Sequence, residues 1–252
     1  RIAIRKARDA VRSSKKAKQE IILSDKLTPA QSKDYEKNEL FIVEGDSAGG
    51  SARKGRDRIH QAILPLRGKP LNTDSVSLDK MLHNEEFATI INTIGAGYGQ
   101  SFDINEIRYG KIIIESDADV DGSHIKNLFY TFIWTFCPQL IKDGYVYGGV
   151  PPLYKITEGK DTYIYLKNDE SLEEYRAKHK GKKYQVNRLK GLGEMFPDET
   201  SILVDPDKRI IKQVTVEDIK ATDKLFDDLM GTQILPRKRF IQQHSTEATY
   251  NV

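Results

Sequence analysis

A single cysteine, Cys137, stands in 252 residues, so no disulfide can form within the chain. A reducing compartment, the cytoplasm, is the expected setting. No signal-peptide pattern opens the sequence. Its longest apolar stretch, 128–136 (LFYTFIWTF), falls far short of the roughly 20 residues that a bilayer-spanning helix needs. A strong overall charge is also missing: 40 Lys and Arg against 37 Asp and Glu leave +3, so any basic partner surface must come from local distribution. Two common motifs are absent. No G-x-x-x-x-G-K-[ST] string occurs, which excludes a P-loop despite the glycines at 45–55. The Asp-x-Asp-x-Asp-Gly string beginning at Asp117 has Leu128 where an EF-hand calcium loop carries its twelfth-position Glu, and an apolar, strand-like run precedes it. No internal repeat or low-complexity tract is visible. The balance of 38% hydrophobic and 31% charged residues is that of an ordinary globular chain.

Two apolar runs end in acids. Leu40–Val43 leads into Glu44, Gly45 and Asp46, and Ile112–Ile114 leads through Glu115 and Ser116 into Asp117, Asp119 and Asp121. Short, wholly apolar runs of this kind read as parallel strands buried on both faces. Their carboxylates then sit at strand C-terminal ends, where open α/β sheets build sites. Four acids brought together repel, and their pKa values rise unless a cation neutralises them. A hard divalent ion such as Mg²⁺ does so.

Charge is uneven along the chain. Residues 1–20 hold eight Lys and Arg against two acids, and residues 53–69 hold six against Asp57. The rest is net acidic. Such runs suit a phosphate backbone, with a solvated surface as the plain alternative.

The pattern predicts a helix over 1–20, a polar linker over 24–38, a helix near 48–58, one over 77–95, and a long helix from Gly122 to about Lys142. Strands are expected at 40–43, 111–116, 145–147, 154–156 and 162–167, with another within 183–195 (KYQVNRLKGLGEM) entering a glycine loop. Further helices are expected at 169–180 and from Val216 to about Met230.

The segment 44–52 (EGDSAGGSA) resembles the first motif of the Toprim domain of type IIA DNA topoisomerases, and 117–124 (DADVDGSH) resembles the second. Four further blocks match in the same order: 62–72 (AILPLRGKPLN), 151–156 (PPLYKI), 190–195 (KGLGEM) and 229–231 (LMG). The resemblance covers nearly the whole chain, and it is to the C-terminal half of the B subunit of bacterial topoisomerase IV or gyrase. It implies an α/β fold: a Rossmann-like parallel sheet flanked by helices over 39–150, preceded by the end of another domain (1–38) and followed by an α+β tail (151–252). It also implies catalytic roles for Glu44, Asp117 and Asp119. Glu44 and Asp117 would hold the metal nearest the scissile phosphate. Asp117 and Asp119 would hold a second ion, and Asp121 would act through water. Up to two Mg²⁺ ions are implied, with Mn²⁺ or Ca²⁺ as substitutes.

Arg67, Lys69, His124 and Lys190 are the implied DNA contacts. Asp46 and Ser47 are read equally as caps of the next helix or as DNA contacts. The implied partners are double-stranded DNA, an A subunit in an A₂B₂ assembly, and quinolone-type inhibitors at the cleavage site, with no membrane. The nucleophilic tyrosine belongs to the A subunit, and ATP is bound by a domain expected before residue 1. Segments 26–33 (KLTPAQSK), 71–97 (LNT…TIGAG) and 229–237 (LMG…PR) lean towards topoisomerase IV, whereas DADVDGSH leans towards gyrase. Departures from the family pattern occur at Glu115-Ser116, at Leu189 and over 196–209. Two rival readings are a Toprim primase and a DNA-binding module without catalysis.

Overall fold

The computed structural model describes residues 25–159, 162–189, 191, 192, 195 and 197–247. The helix expected over 1–20 and the contact residue Lys190 lie outside the described residues.

The main sheet has the order β2-β1-β3-β4-β8. Strands β1 (Glu39–Glu44), β2 (Gln61–Leu66), β3 (Lys111–Glu115) and β4 (Val146–Gly149) run parallel, and β8 (Ile211–Gln213) closes one edge antiparallel to β4. Side-chain alternation divides the apolar runs between two faces. Leu40, Ile42, Ala62, Leu64, Ile112 and Ile114 point into one core, and Phe41, Val43, Ile63 and Ile113 into the other. Both faces are covered, so the continuous apolar reading of 40–43 and 112–114 is met.

The first face is covered by α2 (Leu78–Leu82), α3 (Glu85–Ile94) and α4 (Val120–Phe136), with Met81, Phe87, Ile90 and Phe132 in its core. Phe87 and Phe132 stack with ring centroids 4.4 Å apart. Each such fully buried side chain contributes about 1.5–3 kcal/mol. The second face is covered by α1 (Asp46–Gly55) and α7 (Pro197–Val204), through Ala48, Ala52, Leu203 and Val204.

Two expected single helices are each two. Asn84 interrupts 77–95 because its side chain accepts from the backbone N–H of Glu86 and Phe87, capping a new helix. Pro138 interrupts 122–142: α4 ends at Phe136, and α5 (Pro138–Lys142) restarts with the proline in its first turn. The expected linker is also pinned. Thr28 pairs with Ile63 through two 2.9 Å backbone bonds, and Arg53 Nη2 donates to the Lys26 carbonyl at 2.9 Å.

A smaller antiparallel sheet, β6-β5-β7, is built from β5 (Tyr154–Glu158), β6 (Thr162–Leu166) and β7 (Gln185–Arg188), with α6 (Asp169–Lys178) packed on it. Leu153, Tyr154, Ile156, Leu172 and Tyr175 form its core. The tail then returns through α7 and β8 to the main sheet. α8 (Ile219–Met230) follows and lays Phe226 on Trp134 at 6.0 Å. α9 (Ile234–Gln243) tolerates Pro236 because it falls in the first turn.

A buried ion network locks this return. Both Arg209 amino groups donate to the Glu39 carboxylate at 2.5 Å, and Lys111 and Gln61 add bonds of 3.1 Å. Burial alone would raise the Glu39 pKa, but Arg209, Gln61 and Lys111 together outweigh it and hold the group below its ordinary value.

Candidate metal and DNA site

The parallel register sets Val43 beside Glu115. The residues just beyond them, Glu44 and Ser116–Asp117, therefore emerge side by side at the C-terminal edge of the sheet. Glu44 Oε2 accepts the backbone N–H of Asp117 at 3.1 Å. Gly45 turns the chain sharply at φ +80°, a conformation that suits glycine, and α1 starts at once. Asp46 lies in the first turn of α1, not in a capping role, and Ser47 does not cap it either.

The three aspartates are not all on one extended segment. Asp119 is the N-cap of α4, and its Oδ1 accepts the Gly122 N–H at 2.8 Å, so the chain turns helical at Val120. Asp121 therefore sits in the first helical turn, where its exposed carboxylate pairs with Lys69 at 2.9 Å. Asp117 is half-buried, and its Oδ1 accepts the backbone N–H of Leu192 at 2.7 Å. Each acid thus has its own hydrogen-bond or ion-pair partner. Among the described residues no three His, Cys, Asp or Glu side chains converge around a point where one ion would sit.

Electrostatics nonetheless mark the edge as short of positive charge. Burial first, then the charges of Asp117, Asp119 and Asp121, push the Glu44 pKa above its ordinary value, against the Asp117 N–H that favours the carboxylate. Hard oxygen donors spaced along one edge, with a reluctant anion among them, are the donor chemistry a divalent cation takes, although among the described residues no three of them meet at one point.

Basic groups rim the acids. Arg67 Nε reaches Asp46 at 3.2 Å, and both side chains are largely exposed. Lys69 lowers the Asp121 pKa below its ordinary value, with a smaller contribution from exposed His124. Such exposed pairs are weak in water, so a phosphate can displace the acid at little cost.

The Toprim domain family matches residues 39–147, and the family "DNA gyrase B subunit, carboxyl terminus" matches 181–242. The chain is 49% identical over 246 residues to the B subunit of DNA topoisomerase 4 from Mycoplasma capricolum, and 46% identical over 246 residues to the B subunit of DNA gyrase from Thermotoga maritima. Each alignment takes in 97% of this chain and 38% of the relative. The corresponding topoisomerase 4 protein of Bacillus subtilis is 45% identical over 249 residues, again 97% of this chain and 38% of its own length. The chain belongs to the B subunits of type IIA DNA topoisomerases. It spans roughly two-fifths of the length of these relatives.

Three features of this topoisomerase segment escaped the sequence reading. The first is the Leu192 amide on Asp117. The glycines of 190–195 signalled a loop, but not what it lies against. The second is that Gly191 is pressed on the same carboxylate: a Cβ there would lie 2.8 Å from Asp117 Oδ2. The third is a buried carboxyl group beneath the site. Glu115 is 3% exposed, and burial pushes its pKa up to about 8 against the opposing charges of Lys126 and Arg209. Burial correspondingly lowers the pKa of Lys126, whose Nζ donates to the Gly149 carbonyl at 2.6 Å. Glu115 was visible only as a departure from the family pattern.

Proposed function

We propose that this segment is the metal- and DNA-holding half of a type IIA cleavage site, in a B subunit of the topoisomerase IV kind. The carrying observation is the side-by-side delivery of Glu44 and Asp117 by adjacent parallel strands, bonded at 3.1 Å. Glu44 and Asp117 would hold one divalent ion and Asp117 and Asp119 a second, with Asp121 acting through water. Toprim topoisomerases use divalent metal, and Mg²⁺ is the proposed ion, with Mn²⁺ or Ca²⁺ as substitutes. When bound, it would offset charge developing on the scissile phosphate and leaving oxygen.

The chain's own residues do the rest. Glu44, with its raised pKa, is suited to hold and return a proton beside the reacting oxygen. The Leu192 amide and Gly191 fix the Asp117 carboxylate in place. Arg67, Lys69 and His124, with Lys190, would take the DNA backbone. The nucleophilic tyrosine would come from an A subunit in an A₂B₂ assembly, since a double-strand break needs two sites and symmetric oligomers are the norm. Quinolone-type inhibitors would enter between protein and broken DNA. ATP coupling would belong to another part of the full-length protein, and the setting would be the cytoplasm.

Relatives of both names match at comparable identity, 49% and 46%, so gyrase is the second reading. Full-length protein reconstituted with its A subunit and ATP tests them. Decatenation without negative supercoiling supports topoisomerase IV, and negative supercoiling supports gyrase. Metal-dependent DNA binding with no strand passage would leave only a binding module.

A further inference from the structure

A third basic run lies away from the site. Residues 175–189 hold six Lys and Arg and no Asp or Glu. Two of these cations have ordinary explanations: Arg176 pairs with Glu173 at 2.7 Å and Lys178 with Glu174 at 3.7 Å, both in the last turn of α6, where cations are favoured. Lys180, Lys182 and Lys183 have no such explanation. They follow the helix around a turn at Gly181, φ +85°, stand exposed, and make no ion pair among the described residues. Three unpaired like charges in four residues repel one another, and a polyanion would relieve that.

The run is physically continuous with the site. β7 carries the chain from this turn to Leu189, whose N–H bonds the Leu153 carbonyl, and then to Leu192, whose N–H bonds Asp117. The register sets Arg188 opposite Tyr154 and Gln185 opposite Thr157, so the lysine turn lies beyond the end of β7 away from Leu189. At about 3.3 Å per residue, the six steps from Lys183 to Leu189 cover at most about 20 Å. That is about six base pairs of duplex at 3.4 Å each.

We propose that Lys180, Lys182 and Lys183, at the tip of the small sheet, form a second DNA contact that takes the backbone of the duplex arm leaving the cleavage site. This rests on the functional reading above and lengthens its footprint. The contact is electrostatic and indifferent to sequence, as phosphate contacts are.

The test uses this chain assembled with its A subunit and two fluorescein-labelled duplexes centred on one cleavage site, with arms of about four and about 22 base pairs on either side. Binding is followed by anisotropy between 50 and 200 mM salt. For the triple variant Lys180→Ala, Lys182→Ala, Lys183→Ala, the slope of log affinity against log salt should flatten by about 2–3 units on the long duplex. It should not change on the short one, and the triple Lys→Arg variant should restore it. An unchanged slope on the long duplex overturns the proposal, as does an equal loss on both, which would place the lysines at the cleavage site itself. A wild-type assembly that binds neither duplex overturns the functional reading, and this inference with it.

Discussion

Replacing Gly191 with alanine should damage the site while sparing the fold. The backbone there is not in the left-handed region, so alanine is conformationally acceptable. Its methyl would lie 2.8 Å from Asp117 Oδ2, 3.2 Å from Cγ and 3.3 Å from Oδ1. Ordinary contact begins near 3.4 Å, so the carboxylate or the loop must yield by about half an ångström. The 2.7 Å bond from the Leu192 amide would stretch, and a hydrogen bond to a charged group is worth about 1.5–3 kcal/mol. Because Asp117 is only half-buried, the stability loss should stay near 1 kcal/mol, a fall in Tm of about 2–4 °C. Misplacing a reacting group by as much as 1 Å costs about a hundredfold, so a shift of half that should slow cleavage at least about tenfold. The assay is metal-dependent formation of cleaved DNA by the reconstituted enzyme, alongside thermal unfolding. Wild-type cleavage by Gly191→Ala would refute the claim that this loop positions Asp117.

Three other outcomes are expected. Gly50→Ala, inside α1 with nothing within 4 Å of the added methyl, should raise stability by about 0.5–1 kcal/mol, read from urea unfolding. Glu115→Gln should flatten the dependence of stability on pH. Because the folded-state pKa of Glu115 is raised to about 8, its stabilising proton is fully present below about 4.5 and is lost as pH rises through 8. Wild type should therefore lose more stability than the variant between pH 5 and 8, whereas the depressed Glu39 is common to both and cancels. Arg67→Ala should change stability by no more than about 0.5 kcal/mol, because its pair with Asp46 is exposed, yet lower the salt slope of DNA binding by about one unit.

The sheet and its acidic edge were legible because runs such as 40–43 and 112–114 have one physical solution, strands buried on both faces. Their pairing was not legible, since nothing local places β1 between β2 and β3. Helix breaks at Asn84 and Pro138 were written in the sequence as a cap and an N-terminal proline, but apolar periodicity continued across both and hid them. Segment 25–38 read as a linker because its composition is polar, whereas its backbone pairs with β2 at Thr28. The acids were legible as types and spacing. Their present partners were not: Asp119 on the Gly122 amide, Asp117 on Leu192 and Asp121 on Lys69 each depend on where the chain turns. The pressure of Gly191 on Asp117 joins positions more than 70 residues apart and appears only once the fold is assembled.

The central claim is that Asp117 and Asp119 serve a metal at the cleavage site and are not merely structural acids. The substitutions Asp117→Asn and Asp119→Asn separate these roles. Asparagine keeps the acceptor for the Leu192 amide and keeps the N-cap of α4, while removing the charge. The decisive measurement is covalent protein–DNA adduct formed by the reconstituted core, titrated with Mg²⁺ and trapped by denaturation. Wild type should form adduct on the partner chain's tyrosine only when metal is present. Both variants should unfold within a few degrees of wild type yet form adduct, if at all, only at far higher Mg²⁺. Adduct formation by either variant with wild-type Mg²⁺ dependence, or an adduct on any tyrosine of this chain, would contradict the account.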